Sequence, residues 1–272
     1  MALRSALACQ SRSQSSKARL ATQRESFEKH MDGPAHGPEE APMNFIARNV
    51  QFVRERMAKA AAMSGRSPGD VSLVAISKTF PVEFIVQASE AGVCKFGENR
   101  VQEAETKIPQ LAEKQDFEWH LVGHLQTNKA KRAAELFDMV HSIDSAKLAL
   151  KLNQASLELG KVLPVLLQVD LGEEETKFGA EPDRIREVVE ALSGCRALRL
   201  NGLMTIPPYF EDPDHVRPFF ARLRELGEKL ESQQPGCLGL RHLSMGMSHD
   251  FEQAIREGAT IVRIGTAIFG LR

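Results

Sequence analysis

The sequence predicts an α/β fold, a single (β/α)8 TIM barrel, on three observations. Eight short apolar runs of strand character alternate with helical segments. The runs are apolar on both alternating faces, as in parallel strands covered on either side. No Gly-rich dinucleotide turn follows the first run, which counts against an open, doubly wound sheet, and the strand count reaches eight within 272 residues without a second domain.

The folded part is expected to span residues 43–272. Phe45, Ile46, Val50, Val53 and Met57 recur at helical spacing, and Gly65 with Pro68 stop that helix. The first strand is VSLVAI (71–76), running on to Lys78. Pro81 then opens a helix with Phe84, Ile85 and Ala88 as its stripe and Gly92 past its end. VCKFGE (93–98) is the second strand, and residues 99–114 are helical through Val101, Ala104, Ile108 and Leu111. EWHLVGHL (118–125) is the third strand, with a helix from about Thr127. MVHSID (139–144) is the fourth; Ser145 caps the next helix and Gly160 stops it. VLPVLLQVDL (162–171) is the fifth, followed by a helix over 182–192, and LRLNGLMTI (198–206) is the sixth. A long helix carries Val216, Phe219, Leu223, Leu226 and Leu230. LRHLSMG (240–246) is the seventh strand, Phe251, Ala254 and Ile255 mark a short helix, and TIVRIGTAIFG (260–270) is the eighth strand. So little chain follows it that the helix beginning near Met43 is expected to cover that position.

Charge and cysteine usage narrow the partners. Lys and Arg total 35 against 36 Asp and Glu, a net charge of -1, which removes any global electrostatic case for nucleic acid or an anionic membrane. A small-molecule partner is expected. Cys9, Cys94, Cys195 and Cys237 show no metal-binding spacing and no disulfide framework, which fits a reducing compartment, the cytoplasm. No apolar run approaches bilayer length. Residues 1–42 read as an unstructured extension. Through Arg24 they carry Arg4, Arg12, Lys17 and Arg19 with no acid and many serines, so a mitochondrial targeting segment is the alternative.

Chemistry in such a barrel gathers at the carboxyl ends of the strands. Lys78 ends the first strand on the face of Val74 and Ile76. An amine partly shielded from water there loses its proton more easily and can attack a carbonyl to form an imine. The alternative is a lysine that reaches the surface or pairs with Glu98. Ser244, Gly246 and Ser248 lie where the chain leaves the seventh strand, with Ser248 also suited to cap the next helix; Gly265 and Thr266 lie where it leaves the eighth. Hydroxyls and bare amides at these two ends make an anion site. Amine and anion site together suit pyridoxal phosphate (PLP) or a sugar phosphate.

Arg263 interrupts the eighth strand on the face of Ile261 and Gly265. It can only donate hydrogen bonds, so beside a pyridine nitrogen it leaves that nitrogen unprotonated. That favours PLP, held or used for mild racemisation rather than for transamination. A buried salt bridge from Arg263 to a carboxylate is the alternative. His120 and His124 on the third strand are able to line the mouth, but lack a third ligand for a metal.

The stretches LVAISKTFP, FGENRVQE, WHLVGHLQTNK, GLMTIPP, LSMGMSHDF and VRIGTAIFG, in this order over residues 43–272, resemble the pyridoxal phosphate homeostasis protein family. The resemblance implies a barrel like the amino-terminal domain of alanine racemase, the fold type III class of PLP proteins, without that enzyme's second domain. It implies that Lys78 holds PLP as an imine, that Ser244, Ser248, Gly265 and Thr266 cradle the phosphate, and that Arg263 faces the pyridine nitrogen. It also implies that Asn99 lines the pocket and that Lys177 is a recurring loop lysine. The family is understood as a reservoir for PLP, without established turnover, whose partners include apo forms of PLP enzymes; a monomer is expected. A racemase of this fold needs a second base, usually a tyrosine from a partner subunit. The one tyrosine, Tyr209, follows the sixth strand. Racemase and Schiff-base aldolase stand as the alternatives to a carrier.

Overall fold

The structure, a computed structural model, describes residues 44–113, 116–172, 178–233 and 239–271. In chain order the elements are α1 (Phe45–Met63), β1 (Ser72–Ile76), α2 (Val82–Glu90), β2 (Lys95–Glu98), α3 (Val101–Lys107), β3 (Glu118–Leu121), α4 (Ala130–Leu136), β4 (Met139–Ile143), α5 (Ala146–Glu158), β5 (Leu163–Gln168), α6 (Ile185–Ser193), β6 (Leu198–Met204), α7 (Arg217–Gln233), β7 (His242–Ser244), α8 (Phe251–Arg256), β8 (Ile261–Ile264) and α9 (Thr266–Phe269). Each strand pairs in parallel with the next, and β8 closes onto β1 from Ser72 opposite Ile261 to Ala75 opposite Ile264. The sheet is a closed barrel, and the open-sheet alternative is excluded. The expected extension 1–42 lies outside the described residues.

Period-two alternation divides the apolar side chains into two cores. Val74, Ile76, Val122, Met139, Leu166, Met204 and Ile261 pack together inside the barrel. Ala75, Phe96, Leu121, Val140 and Leu167 face outward and pack with the helical stripes in a larger layer. Strands buried on both faces need both sets, which explains the continuous apolar runs.

Asn44 caps α1, its Oδ1 accepting from Ile46 N at 2.7 Å. Ile46, Val50, Val53, Met57, Ala60 and Ala61 then form one buried stripe. Each large aliphatic in it contributes about 1.5–3 kcal/mol on burial, so an aspartate at Val53 would break the docking. The stripe covers the barrel where β8 lacks a long helix of its own. Asn49 Nδ2 donates to Ile268 O at 2.9 Å, and Arg66 Nη1 donates to Ile255 O at 3.1 Å and Ala259 O at 2.8 Å.

The eighth strand is shorter than its apolar run. It ends at Ile264, and Thr266–Phe269 form the helical turn α9, which buries Ile268 and Phe269. A strand and a short buried helix have the same all-apolar signature, which is why the sequence merges them.

Candidate functional site

Lys78 lies two residues beyond β1, half-buried in a turn, and the chain is pinned on both sides of it. Before it, the fully buried Ser77 donates from its amide to Gly97 O at 3.0 Å and from Oγ to Glu98 Oε1 at 2.7 Å. Its carbonyl oxygen accepts from Lys107 Nζ at 2.8 Å. After it, Thr79 has φ of +64°, a left-handed conformation costing a threonine on the order of 1 kcal/mol or more. The Thr79 amide donates to Glu103 Oε2 at 2.8 Å, which holds the turn in place.

Glu98, offered by the sequence as a partner for Lys78, forms its ion pair with Lys107 at 2.8 Å. Burial raises the Glu98 carboxyl above the usual range, with the Lys107 ammonium opposing it. Sequence reasoning missed Lys107. The available signal was its position, since Val101, Ala104 and Lys107 are the buried residues of α3 and a lysine in an apolar stripe requires an acceptor.

Arg263 sits opposite Val74 across the β1–β8 seam and is buried inside the barrel. Its Nη1 donates to Ser244 Oγ at 2.6 Å and its Nη2 to Thr205 O at 2.9 Å. Among the described residues it forms no ion pair, so a hydroxyl and a carbonyl occupy the place of the carboxylate alternative. Burial lowers its pKa to about 10, with Asp250 opposing, and the guanidinium stays charged at neutral pH. Among the described residues, protein acceptors take two of its five N–H donors.

The turns after β7 and β8 are laced together. Ser248 Oγ accepts from Gly265 N and Ala267 N, both at 3.3 Å, and Arg263 N donates to Gly246 O at 3.0 Å. Gly246 has φ of +92°, and a Cβ there would lie 2.5 Å from Ala254 Cβ, so only glycine fits between this turn and α8. The expectation that Ser248 caps α8 is corrected: Asp250 holds the cap position, its Oδ1 accepting from Met247 N at 2.6 Å. Ser248 is two residues too early and joins the two turns instead.

The predicted residues therefore divide. Ser248 and Gly265 are bonded to one another, with the exposed Thr266 next in the chain. Ser244 stands apart, fully buried between Arg263 and His141, whose Nδ1 lies 3.0 Å from its Oγ. Asn99 is half-buried just past β2, and a Cβ on Gly123 would lie 2.2 Å from Asn99 O, so the glycine lets the two loops touch. His120 lies inside the barrel on Glu118 and His141, rather than at the mouth. His124 lies past β3, 3.2 Å from Asp144 and stacked on Phe178. Among the described residues no three His, Cys, Asp or Glu side chains cluster to hold a metal. Lys177 lies outside the described residues.

A primary amine, a donor-only guanidinium and the amides around Ser248 form a donor set that fits a phosphorylated aldehyde carrying an acceptor ring nitrogen. The comparisons agree. Residues 45–272 match the family model described as alanine racemase, N-terminal domain. The pyridoxal phosphate homeostasis protein of Aquifex aeolicus is 46% identical over 230 residues, 85% of this chain and 99% of that one. That of Escherichia coli is 41% identical over 233 residues, covering 85% and 98%. The structure of PipY from Synechococcus elongatus with PLP bound superposes with a TM-score of 0.74 at 39% identity, covering 83% of this chain and 100% of that one. The chain belongs to the pyridoxal phosphate homeostasis protein family, on the alanine racemase N-terminal domain barrel.

Proposed function

We propose that this chain binds PLP in the mouth of the barrel and holds it for transfer, without catalytic turnover. One observation carries the reading: the β1–β8 seam brings the pinned Lys78 turn beside the Gly265 turn, with Ile76 O 3.4 Å from where a Gly265 Cβ would lie. PLP would supply an aldehyde open to amine attack, an anionic phosphate and a pyridine nitrogen.

In this reading Lys78 Nζ is the point of covalent attachment. The bonds at Ser77 and Thr79 fix where that amine stands. The Thr266 amide and the Ser248 hydroxyl would bind the phosphate, with the Gly265 amide, which donates to Ser248 Oγ at 3.3 Å, shared between that oxygen and the anion, while Ser244 acts on Arg263. Arg263 faces the ring nitrogen and remains charged, so it donates a hydrogen bond but supplies no proton. Asn99 lines the pocket. Racemisation would need a base across from Lys78. The one tyrosine, Tyr209, is exposed and packs on His249, with ring centroids 5.1 Å apart. The proposal further takes residues 43–272 as the PLP-binding domain and residues 1–42 as a separate extension. It takes the chain as a cytoplasmic monomer and apo forms of PLP enzymes as recipients. Among the described residues no helix is long and apolar enough to cross a membrane.

The test is borohydride reduction of PLP-loaded protein followed by peptide mapping. Label on Lys78 is expected, and label confined to another lysine sinks the proposal. Incubation with single-enantiomer amino acids in deuterated water separates carrier from racemase: sustained exchange at Cα with turnover would overturn the carrier reading.

A further inference from the structure

Beneath Arg263 the barrel interior holds an unbroken line of polar side chains drawn from five strands. Lys95 Nζ on β2 lies 2.7 Å from Glu118 Oε2 on β3. Glu118 Oε1 lies 2.8 Å from His120 Nε2, and His120 Nδ1 lies 2.8 Å from His141 Nε2 on β4. His141 Nδ1 lies 3.0 Å from Ser244 Oγ on β7, which accepts from Arg263 Nη1 on β8 at 2.6 Å. His120, His141, Ser244 and Arg263 are all buried.

The two ends fix the direction of the line. Arg263 can only donate, and an ionised Glu118 can only accept. With both imidazoles neutral, one assignment satisfies every link: Arg263 N–H to Ser244 Oγ, Ser244 O–H to His141 Nδ1, His141 Nε2–H to His120 Nδ1, and His120 Nε2–H to Glu118. Each ring carries its hydrogen on Nε2.

We infer that His120 and His141 are positioning residues for Arg263, and that one proton added to the pair reverses the two middle links of the line. A cationic His120 donates from both nitrogens. His141 must then accept at Nε2 and donate from Nδ1 to Ser244, whose own hydrogen loses its acceptor within the line. The seat of Arg263 thus depends on a proton held three links away along the line.

The surroundings disfavour His141 as the holder. Burial pushes His141 well below the usual imidazole range, reinforced by His120, Arg263, His242 and Lys95. His242 on β7 is lowered as well, chiefly by burial. The hydrogen bond from His120 holds Glu118 down at about 2, burial opposing and Lys95 assisting, so the line ends on a carboxylate at neutral pH. Asp250, facing Arg263 from the cap of α8, lies at the far end of the line from His120.

That Arg263 faces a ring nitrogen rests on the function proposed above; the line itself does not. The test is long-range proton–nitrogen NMR on full-length protein with 15N-labelled histidine, without PLP, assigned through His120→Gln and His141→Gln. At a pH of about 7.5 both rings should carry Nε2–H. On acidification His120 should become cationic while His141 changes to Nδ1–H. Nδ1–H on neutral His141 at the higher pH, or simultaneous protonation of both rings, overturns the line. The second arm measures PLP affinity against pH. His141→Gln should weaken it about three- to tenfold and change its pH profile, as expected for one lost hydrogen bond. An unchanged profile overturns the positioning role, whereas a wild-type chain that fails to bind PLP overturns the proposed function and leaves the NMR result standing.

Discussion

Lys107 Nζ donates to the carbonyl oxygen of Ser77, the residue immediately before Lys78, at 2.8 Å. The same nitrogen neutralises the fully buried Glu98 at 2.8 Å. Removing one partner of such a pair costs about 3–5 kcal/mol, because the other charge stays buried alone. Lys107→Met should therefore lose about 3 kcal/mol in urea unfolding, and Lys107→Met with Glu98→Gln should recover part of it. A loss below about 1 kcal/mol would mean that the pair does not anchor this turn.

Stability toward acid should carry the mark of Glu118. Its folded pKa, about 2, lies below the ordinary value of 4.5, so its contribution is present above that value and disappears as pH falls toward 2. The carboxylate is partly exposed, which screens the effect. Glu98 and Asp250, both raised chiefly by burial, act with the opposite sign. The informative measurement is the difference between wild type and Glu118→Gln in denaturant midpoint across that range: the gap should close as pH drops, and a constant gap refutes the assignment.

Ser248→Ala removes the acceptor that Gly265 N and Ala267 N share. In the proposed site the Ser248 hydroxyl also donates to the phosphate; a hydrogen bond of this kind contributes about 1 kcal/mol, so PLP binding should weaken about fivefold while the melting temperature moves by no more than about 3 °C. Spectral titration against PLP measures the first and calorimetry the second. Unaltered affinity would remove Ser248 from the phosphate site.

Two glycines should differ in their tolerance of a methyl group. At Gly97 a Cβ would meet Ile76 Cδ1 at 2.6 Å, the movable end of a side chain, so Gly97→Ala should cost about 1–3 kcal/mol. At Gly123 the clash is with Asn99 backbone, 2.2 Å from its carbonyl oxygen, so Gly123→Ala must displace the loop and should cost more. Equal unfolding midpoints for the two variants would contradict this ordering.

The barrel and the residues at its rim were legible because each leaves a local signal. Apolar runs announced the strands, and a charge at the end of one announced Lys78. Arg263 stood out for the same reason. Contacts between remote residues left no such trace. His141 and Ser244 are separated by 103 positions, and on strands buried on both faces alternation does not reveal which polar residues turn inward. Ser248 resembled a cap because a serine before a helix usually is one. Lys107 was missed because its acceptors lie 9 and 30 residues upstream, on another element and in the turn before Lys78.

The docking of α1 on α9 has a consequence for biosynthesis. Asn49 reaches Ile268 across 219 positions, and β1 finds its second neighbour only when β8 exists. A nascent chain leaving the ribosome therefore cannot complete its cylinder until β8 has been made, and its earliest segments wait with unmatched edges. Shielding by chaperones should matter most in that interval, and chains cut off before β8 should yield insoluble product.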